Sequence, residues 1–596
     1  MFSLTNAIDL HLLDIVVLVI YFTTVTVLGV VIGKHQTKTL GDFFIAGGKW
    51  GPIVAFIFVF ASAVGGAEAV VIAGAAYESG LSGIWYWWAG LFCIILYFLF
   101  APIYKRSRVF NSAEFYEMRF GPNVATLYAI ISMIVSVGTV GLFALAGGKS
   151  IAGLTGLEVH HAVLISCVMV AAYVGAGGLM ASLLTDLFQG LMALTTFCFL
   201  LLPFLWREAG GFEGLRGIPQ EYWSLHSDAL PITQIFALVV VTTFGSVASP
   251  FIFCLISVGK DERTATQCGW AHLWKRVITI VFVIYGLLFL IHKPGLHDPE
   301  LAWGIVIKEL LPPGLLGLLI ASFFAALMSS VDTMSATSAG VVVDFLLRRR
   351  LLPGRSTRFY LLCSRWMGIA IVILSGGMAL MFDNLQDLIK FLAPILIILG
   401  IPLYFGVIWR KANRHGAWAA MLAGIFVYVI CQSLNWLQQP SPSTNLSHWT
   451  VAWNTYSFEI TALAPATVAT FLMYMVSKWT NSESDLLLQR FYCILNTPIG
   501  QEQRLRKVGI RLPAMDENIT ADSWESADHI DLQELDKLYK TYACHKICGP
   551  DSHIETLKEP GMDWYYRGVI WLAASCLFLI AALWLAARIM ARLSLA

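Results

Sequence analysis

Residues 325–345 read AALMSSVDTMSATSAGVVVDF, an apolar stretch threaded with hydroxyls and, until Asp344, carrying the single charge Asp332. It closes a longer apolar segment at 312–345, in which Ser322, Ser329, Ser330, Thr333, Ser335, Thr337 and Ser338 recur among Ala, Leu, Met and Val. A bilayer-spanning helix needs about 20 mostly apolar residues, because hydrocarbon offers no water to backbone groups. This segment is long enough to cross. Its hydroxyls have two uses: to bond back to carbonyls of their own helix, or to offer oxygens to a hard cation. Back-bonding is expected for Thr337 and Ser338, and the second use for the Ser329-Ser330 pair.

Outward from this stretch the same character continues. The chain has 596 residues, 58% hydrophobic and only 13% charged, with a mean hydropathy of +0.71. Soluble domains carry about 25% charged residues, so a soluble or disordered chain is excluded. A net charge of +1 offers no field for nucleic acid. Fourteen segments read as spans: roughly 12–33, 52–77, 83–104, 124–149, 160–178, 180–206, 231–257, 270–292, 312–345, 360–382, 386–408, 416–436, 459–477 and 565–590. Only Ala176-Gly177-Gly178 separates the fifth from the sixth. The first reads as a retained span, since residues 1–13 hold no Lys or Arg and no small-residue cleavage motif follows.

Basic loops orient a membrane protein. Lys34, Lys38 and Lys49 follow the first span, and Lys105, Arg106, Arg108 and Arg119 the third. Lys260 and Arg263 follow the seventh, Arg348, Arg349 and Arg350 the ninth, and Arg410, Lys411 and Arg414 the eleventh. All are odd-numbered spans. Both termini are therefore expected outside an integral plasma (cell inner) membrane. Residues 478–560 then form a cytoplasmic insert holding 24 of the 77 Asp, Glu, Lys and Arg. Its Cys544-His545-Lys546-Ile547-Cys548 run, with His553, lacks a second pair at zinc spacing. His160-His161 reads as an interfacial pair, and Asn445-Leu446-Ser447 as a glycosylation sequon on the outer side.

Charge inside a span costs about 2.5–3.5 kcal/mol on insertion scales and needs a reason. Glu68 stands in ASAVGGAEAVVIAGAAY, Asp186 in GGLMASLLTDLFQG, and Asp332 in the opening stretch. Backbone breaks accompany them. Gly65-Gly66 interrupts the second span, while Gly245-Ser246 and Ser249-Pro250 interrupt the seventh. Close packing of small residues explains Ala73 and Ala76, but not a Pro beside a Ser. Spans 52–206 and 231–408 make two units of five, and an odd number inverts one unit relative to the other. Corresponding breaks in inverted halves mark a midplane binding site. Sodium suits the freed carbonyls and neighbouring hydroxyls, with Asp186 balancing its charge.

On GDFFIAGGKWG (41–51), Tyr77-Glu78-Ser79-Gly80, FNSAEFYEMRFG (110–121), YVGAGGLMASLLTDLFQ (173–189) and the opening 325–345 stretch, the chain resembles the sodium/solute symporter family over about residues 10–430. The resemblance implies an all-α polytopic protein of about 14 transmembrane helices. Its core would be LeuT-type, a 5+5 inverted repeat with one extra N-terminal helix and three C-terminal helices. The implied layout is 1–51 for the extra helix and first loop, 52–206 and 231–408 for the repeats, and 207–230 for an outer loop. Two accessory helices at 409–477, the insert and a last helix at 561–596 follow. Sodium, the coupling ion, would be held by the carbonyls of Ala61, Val64 and Ala326 and the hydroxyls of Ser329 and Ser330. Asp186 would lie beside its inward path.

For the solute, the resemblance points to Gly65, Gly66, Glu68, Trp87, Ser246 and Ser249. Glu68 falls where sugar carriers hold a substrate-binding glutamine, but Trp87 replaces their glutamate, and no asparagine occurs at Ser246–Ser249. Ser249-Pro250 is similar to the Gln-Pro element of the proline-like branch. These departures disfavour a hexose and leave an amino acid, a carboxylate or another polar metabolite. The implied activity is sodium-coupled import by alternating access. A membrane sensor signalling through the insert is the alternative. An enzyme is disfavoured because His160 and His161 have no partnered nucleophile, and a channel because no charged ring or filter repeat is visible.

Overall fold

Backbone groups facing hydrocarbon must be satisfied within their own segment, and every apolar segment described in the computed structural model is helical. The structure describes residues 10–174, 178–437, 448–510, 512, 530–543 and 563–594. Residues 176–177, the 445–447 sequon, and Cys544, Cys548 and His553 lie outside the described residues. In chain order the main helices are α1 (Leu12–Gln36), α2 (Pro52–Ala63), α3 (Gly66–Ser79), α4 (Cys93–Ser107), α5 (Ser112–Phe120) and α6 (Pro122–Thr155). Then come α7 (Val159–Val174), α8 (Gly178–Leu194), α9 (Ile232–Gly245), α10 (Pro250–Ser257), α11 (Gln267–His292) and α12 (Leu315–Gly340). The remainder are α13 (Thr357–Ala379), α14 (Leu385–Ile408), α15 (Arg414–Leu437), α16 (His448–Trp479), α17 (Asp485–Asn496), α18 (Leu532–Ala543) and α19 (Asp563–Leu593). Among the described residues the one extended pairing is a bridge between Trp50 and Gly259.

Eleven described stretches are long and apolar enough to cross a membrane, or twelve if the bent α9–α10 pair is one span. The sequence pattern suggested fourteen, and the difference has local causes. The 52–77 segment is cut at Val64-Gly65 into α2, of 12 residues, and α3. From α3 the chain continues through short helical turns into α4, so Gly66–Ser107 forms one helical stretch. α7 has only 16 residues.

The hydroxyl-rich α12 lies at the centre, packed by α1, α6, α7, α8 and α13. Asp14 of α1 fixes its start by accepting the backbone N–H groups of Gly314 and Gly317, each at 2.7 Å. α11 packs across both halves of the first broken helix, α2 and α3. Part of the charged insert folds against this bundle. Arg108 donates to the carbonyls of Ile494, Thr497 and Pro498 at the C-terminal end of α17 and pairs with Glu502 at 3.1 Å. A guanidinium there complements the helix dipole. The Phe491 ring of α17 lies 5.7 Å from Phe115 and 5.6 Å from the Arg119 guanidinium.

Candidate functional site: two broken helices and the oxygens between them

α2 stops at Val64 (φ −81°, ψ 89°), and Gly65 continues in extended conformation before α3 begins. Glycine is required here by approach. A Cβ on Gly65 would strike the Phe143 ring and lie 3.0 Å from Ser330 Oγ, and one on Gly66 would meet Phe323 O and Leu327 at 2.9 Å. The break strips the Ala61 and Ser62 carbonyls of their helical donors. α12 supplies replacements: Ser329 Oγ donates to Ala61 O at 3.3 Å, and Ser330 Oγ to Ser62 O at 2.9 Å.

Both hydroxyls also reach Ala326 O of their own helix, at 3.1 and 3.3 Å. The expectation that this pair would avoid back-bonding is thus corrected: each hydroxyl is shared between two helices. Thr337 and Ser338 back-bond as expected, to Thr333 O at 2.6 Å and Met334 O at 2.7 Å.

Asp186 of α8 closes the group. Its Oδ2 accepts from Ser62 Oγ at 2.8 Å and Thr333 Oγ1 at 3.3 Å, while Oδ1 has no hydrogen-bond partner among the described residues. Ala61, Ser62, Asp186, Ala326, Ser329, Ser330 and Thr333 are all buried. Three carbonyls, rotatable hydroxyls and one half-satisfied carboxylate make an oxygen-only donor set, which fits a hard cation such as sodium. Ser62 contributes both its carbonyl and its hydroxyl, a role the sequence reading did not assign. Its only signal was position, a hydroxyl residue two before the break. Asp332 lies apart from this set, accepting from Ser182 Oγ at 2.6 Å.

The second break differs. α9 ends in a single turn at Ser246–Ala248, Ser249 is extended (φ −66°, ψ 135°), and α10 begins at Pro250 with a 55° bend. A residue before proline is driven out of the helical region, and proline at a helix start loses nothing. Here the freed carbonyls are capped by phenols: Tyr104 donates to Val247 O at 2.7 Å and Tyr128 to Ala248 O at 2.5 Å. Ser246 Oγ turns back to Thr242 O at 2.6 Å.

Glu68 occupies the first turn of α3, where the dipole favours an acid. Its Oε1 accepts from Thr279, and its Oε2 lies 3.3 Å from Lys275 Nζ, which sits 5.2 Å over the Trp87 ring. Lys275 and Thr279 both come from α11. In the sequence the only signal of a cation inside this span, which begins near 270, is a Lys-Arg pair one turn within the apolar run. His160 and His161 gather with Glu158 on the exposed surface, the His160 Nε2 at 3.1 Å from its carboxylate.

Residues 43–424 match the model of the Sodium:solute symporter family, about two thirds of the chain. The chain belongs to this family. Relatives of this symporter include the pig Sodium/myo-inositol cotransporter 2, 27% identical over 72% of this chain and 71% of that one. The rabbit Sodium/glucose cotransporter 1 is 25% identical over 70% and 71%. A solved Na+-coupled sialic acid symporter, in a substrate-bound outward-open state, shares the fold with a TM-score of 0.60 at 18% identity, covering 80% of this chain and all of that one. The symporter is accordingly a membrane transport protein and not an enzyme. Glucose and myo-inositol carriers among its relatives give no support to disfavouring a hexose. Nor do they support the sensor alternative.

Proposed function

We propose that this symporter accumulates a small polar organic solute by coupling its entry to sodium moving down its gradient. Sodium would bind at the first break, on the carbonyls of Ala61, Val64 and Ala326 and the hydroxyls of Ser329 and Ser330, joined by Ser62, with Asp186 balancing its charge. The solute would lie between the two breaks, beside Gly65, Gly66, Glu68, Trp87, Lys275, Ser246 and Ser249. Its class would be a small polar metabolite of about the size of the myo-inositol and glucose carried by relatives. A fourteen-span topology with a LeuT-type inverted repeat at 52–206 and 231–408, both termini outside and 478–560 in the cytoplasm, fits the positions of the basic loops.

One observation carries the reading: two serines of α12 meet the two carbonyls freed by the break in α2. A cation replacing those hydrogen bonds would tie α2 to α12 and so favour one arrangement of the broken helix. By linkage, sodium would raise solute affinity by the factor by which solute raises sodium affinity. Removing a serine hydroxyl tests this. Ser330→Ala is expected to abolish sodium-dependent uptake while the protein still reaches the membrane; unaltered sodium dependence in that variant would overturn the site.

A further inference from the structure

Among the described residues, the buried arginines other than Arg276 are richly partnered. Arg119 donates to the carbonyls of Gly406, Trp409, Arg410 and Ala412. Arg349 pairs with Glu114 at 2.5 Å and Glu117 at 3.1 Å. Arg106 pairs with Glu262 at 3.0 Å, and Arg108 with Glu502 and three carbonyls. Arg276 of α11 is different. It is 5% exposed, its Nε and Nη1 have no hydrogen-bond partner, and no acidic side chain among the described residues pairs with it. A guanidinium cannot shed its proton, and an unpaired buried charge is among the costliest things a membrane helix can hold.

Among the described residues, what surrounds it is small or itself unpartnered. Gly90 faces the guanidinium, and a Cβ there would lie 2.5 Å from Nη2 and 3.6 Å from Thr242 at the end of α9. One turn before Arg276 on α11, His272 is 4% exposed with neither ring nitrogen hydrogen-bonded, its ring 4.9 Å from that of Tyr97. Thr243 Oγ1 of α9 is likewise buried without a partner. The neighbouring Lys275 is neutralised by Glu68. Glu68, Lys275 and Arg276 together therefore carry one uncompensated positive charge, beside the second break.

We propose that Arg276 receives the carboxylate of the transported solute, so that this symporter carries an organic anion, with the remainder of the molecule extending toward Lys275, Glu68 and Trp87. A planar fork of donors matches a carboxylate bidentately. The bound anion cancels the surplus charge, and the inward sodium gradient supplies the drive against the membrane potential. This rests on the symport reading above and adds the charge of the solute to it.

The test uses the purified full chain in sodium and in choline buffer, with gluconate and pyruvate as carboxylates and myo-inositol and glucose as uncharged probes. Sodium-dependent uptake in proteoliposomes is expected for a carboxylate, with apparent affinity falling at least 100-fold in Arg276→Gln. Arg276→Lys is expected to retain part of it. Thermal stabilisation by sodium alone should be the same in wild type and Arg276→Gln, which shows that the variant folds and that its ion site is intact. Gly90→Ala, which displaces the guanidinium without removing it, should weaken carboxylate uptake in the same way.

Sodium-driven uptake of myo-inositol or glucose that is unchanged in Arg276→Gln would overturn the proposal and leave symport standing. So would carboxylates that give no sodium-dependent signal, or a chloride effect on stability that Arg276→Gln removes, since the guanidinium would then serve an inorganic ion. Absence of any sodium effect on stability or on uptake of any probe would instead sink the symport reading itself.

Discussion

Two helices of this protein break within apolar stretches, and they treat the freed carbonyls in opposite ways. At the first break Ala61 O and Ser62 O meet serine hydroxyls, each already divided between two acceptors. At the second, Val247 O and Ala248 O are capped by the phenols of Tyr104 and Tyr128, whose rings are wholly buried. A serine oxygen can turn a lone pair toward a cation as its side chain rotates; a phenol oxygen is held in place by its packed ring, and that of Tyr128 is anchored further by Ser112 Oγ at 2.8 Å. The first break is thus a set of exchangeable oxygens, and the second a braced corner. Charge follows the same division. Beside the first break lies a half-satisfied carboxylate, Asp186, and beside the second a guanidinium, Arg276, that has no acidic partner among the described residues.

Substitutions can break this contrast. Beyond Ser330→Ala, the largest effect is expected from Asp186→Asn, which removes the charge but keeps an acceptor for Ser62. Outer partners of ion ligands typically matter by 10–100-fold, and apparent sodium affinity should fall by roughly that factor in uptake assays. Tyr128→Phe attacks the braced corner instead. It leaves Ala248 O buried and without its donor, which should cost about 2 kcal/mol of stability in denaturation experiments and leave sodium affinity unchanged. A shift in sodium affinity as large as that of Asp186→Asn would erase the distinction between the breaks.

A third measurement concerns what holds α3, the C-terminal half of the first broken helix. Glu300, in the loop after α11, packs on Gly74 of α3, lies 3.4 Å from Lys149 and accepts from the Leu385 N–H at 2.8 Å. Burial pushes its carboxyl up to about 7, Lys149 opposing the shift. The folded state therefore holds this proton more tightly than the unfolded chain does. Stability should fall as pH rises from about 5 to about 7, by at most about 1 kcal/mol per pH unit, and level off above. Glu300→Gln should flatten that slope in melting curves; an unchanged slope would show that Glu300 does not set it. The smallest effect is expected from Ser338→Ala, which removes only a back-bond to Met334. Uptake should be unchanged and stability should shift by under about 1 kcal/mol, because a hydroxyl that only bonds back within its own helix contributes little there.

Much of this was legible before any fold was known. Gly65-Gly66 and Ser249-Pro250 marked both breaks, because the backbone preferences of glycine and of a residue before proline act over one or two positions. The hydroxyls of α12 marked the oxygen-rich side of the first break for the same local reason. Ser62 was harder to see, since its role depends on which neighbour fills the gap left by α2. Lys275 and Arg276 were missed because a Lys-Arg pair near the start of an apolar run is more often interfacial; only the packing of α11 across α2 and α3 carries them inward. The charged insert read as a separate region, yet its α17 is clamped to the bundle by Arg108.

By itself, then, the sequence determined that this chain is a helical membrane protein of the symporter family with two interrupted helices and a row of hydroxyls. Composition, periodicity and backbone preference are properties of short stretches and survive without a fold. Tertiary structure alone decided which oxygens share a site and which charges are cancelled. Ser330 meets Ser62 across 268 positions and Lys275 meets Glu68 across more than 200, and Arg276 meets no acid among the described residues. Pairing of that kind is set by how helices cross, and no local preference encodes it.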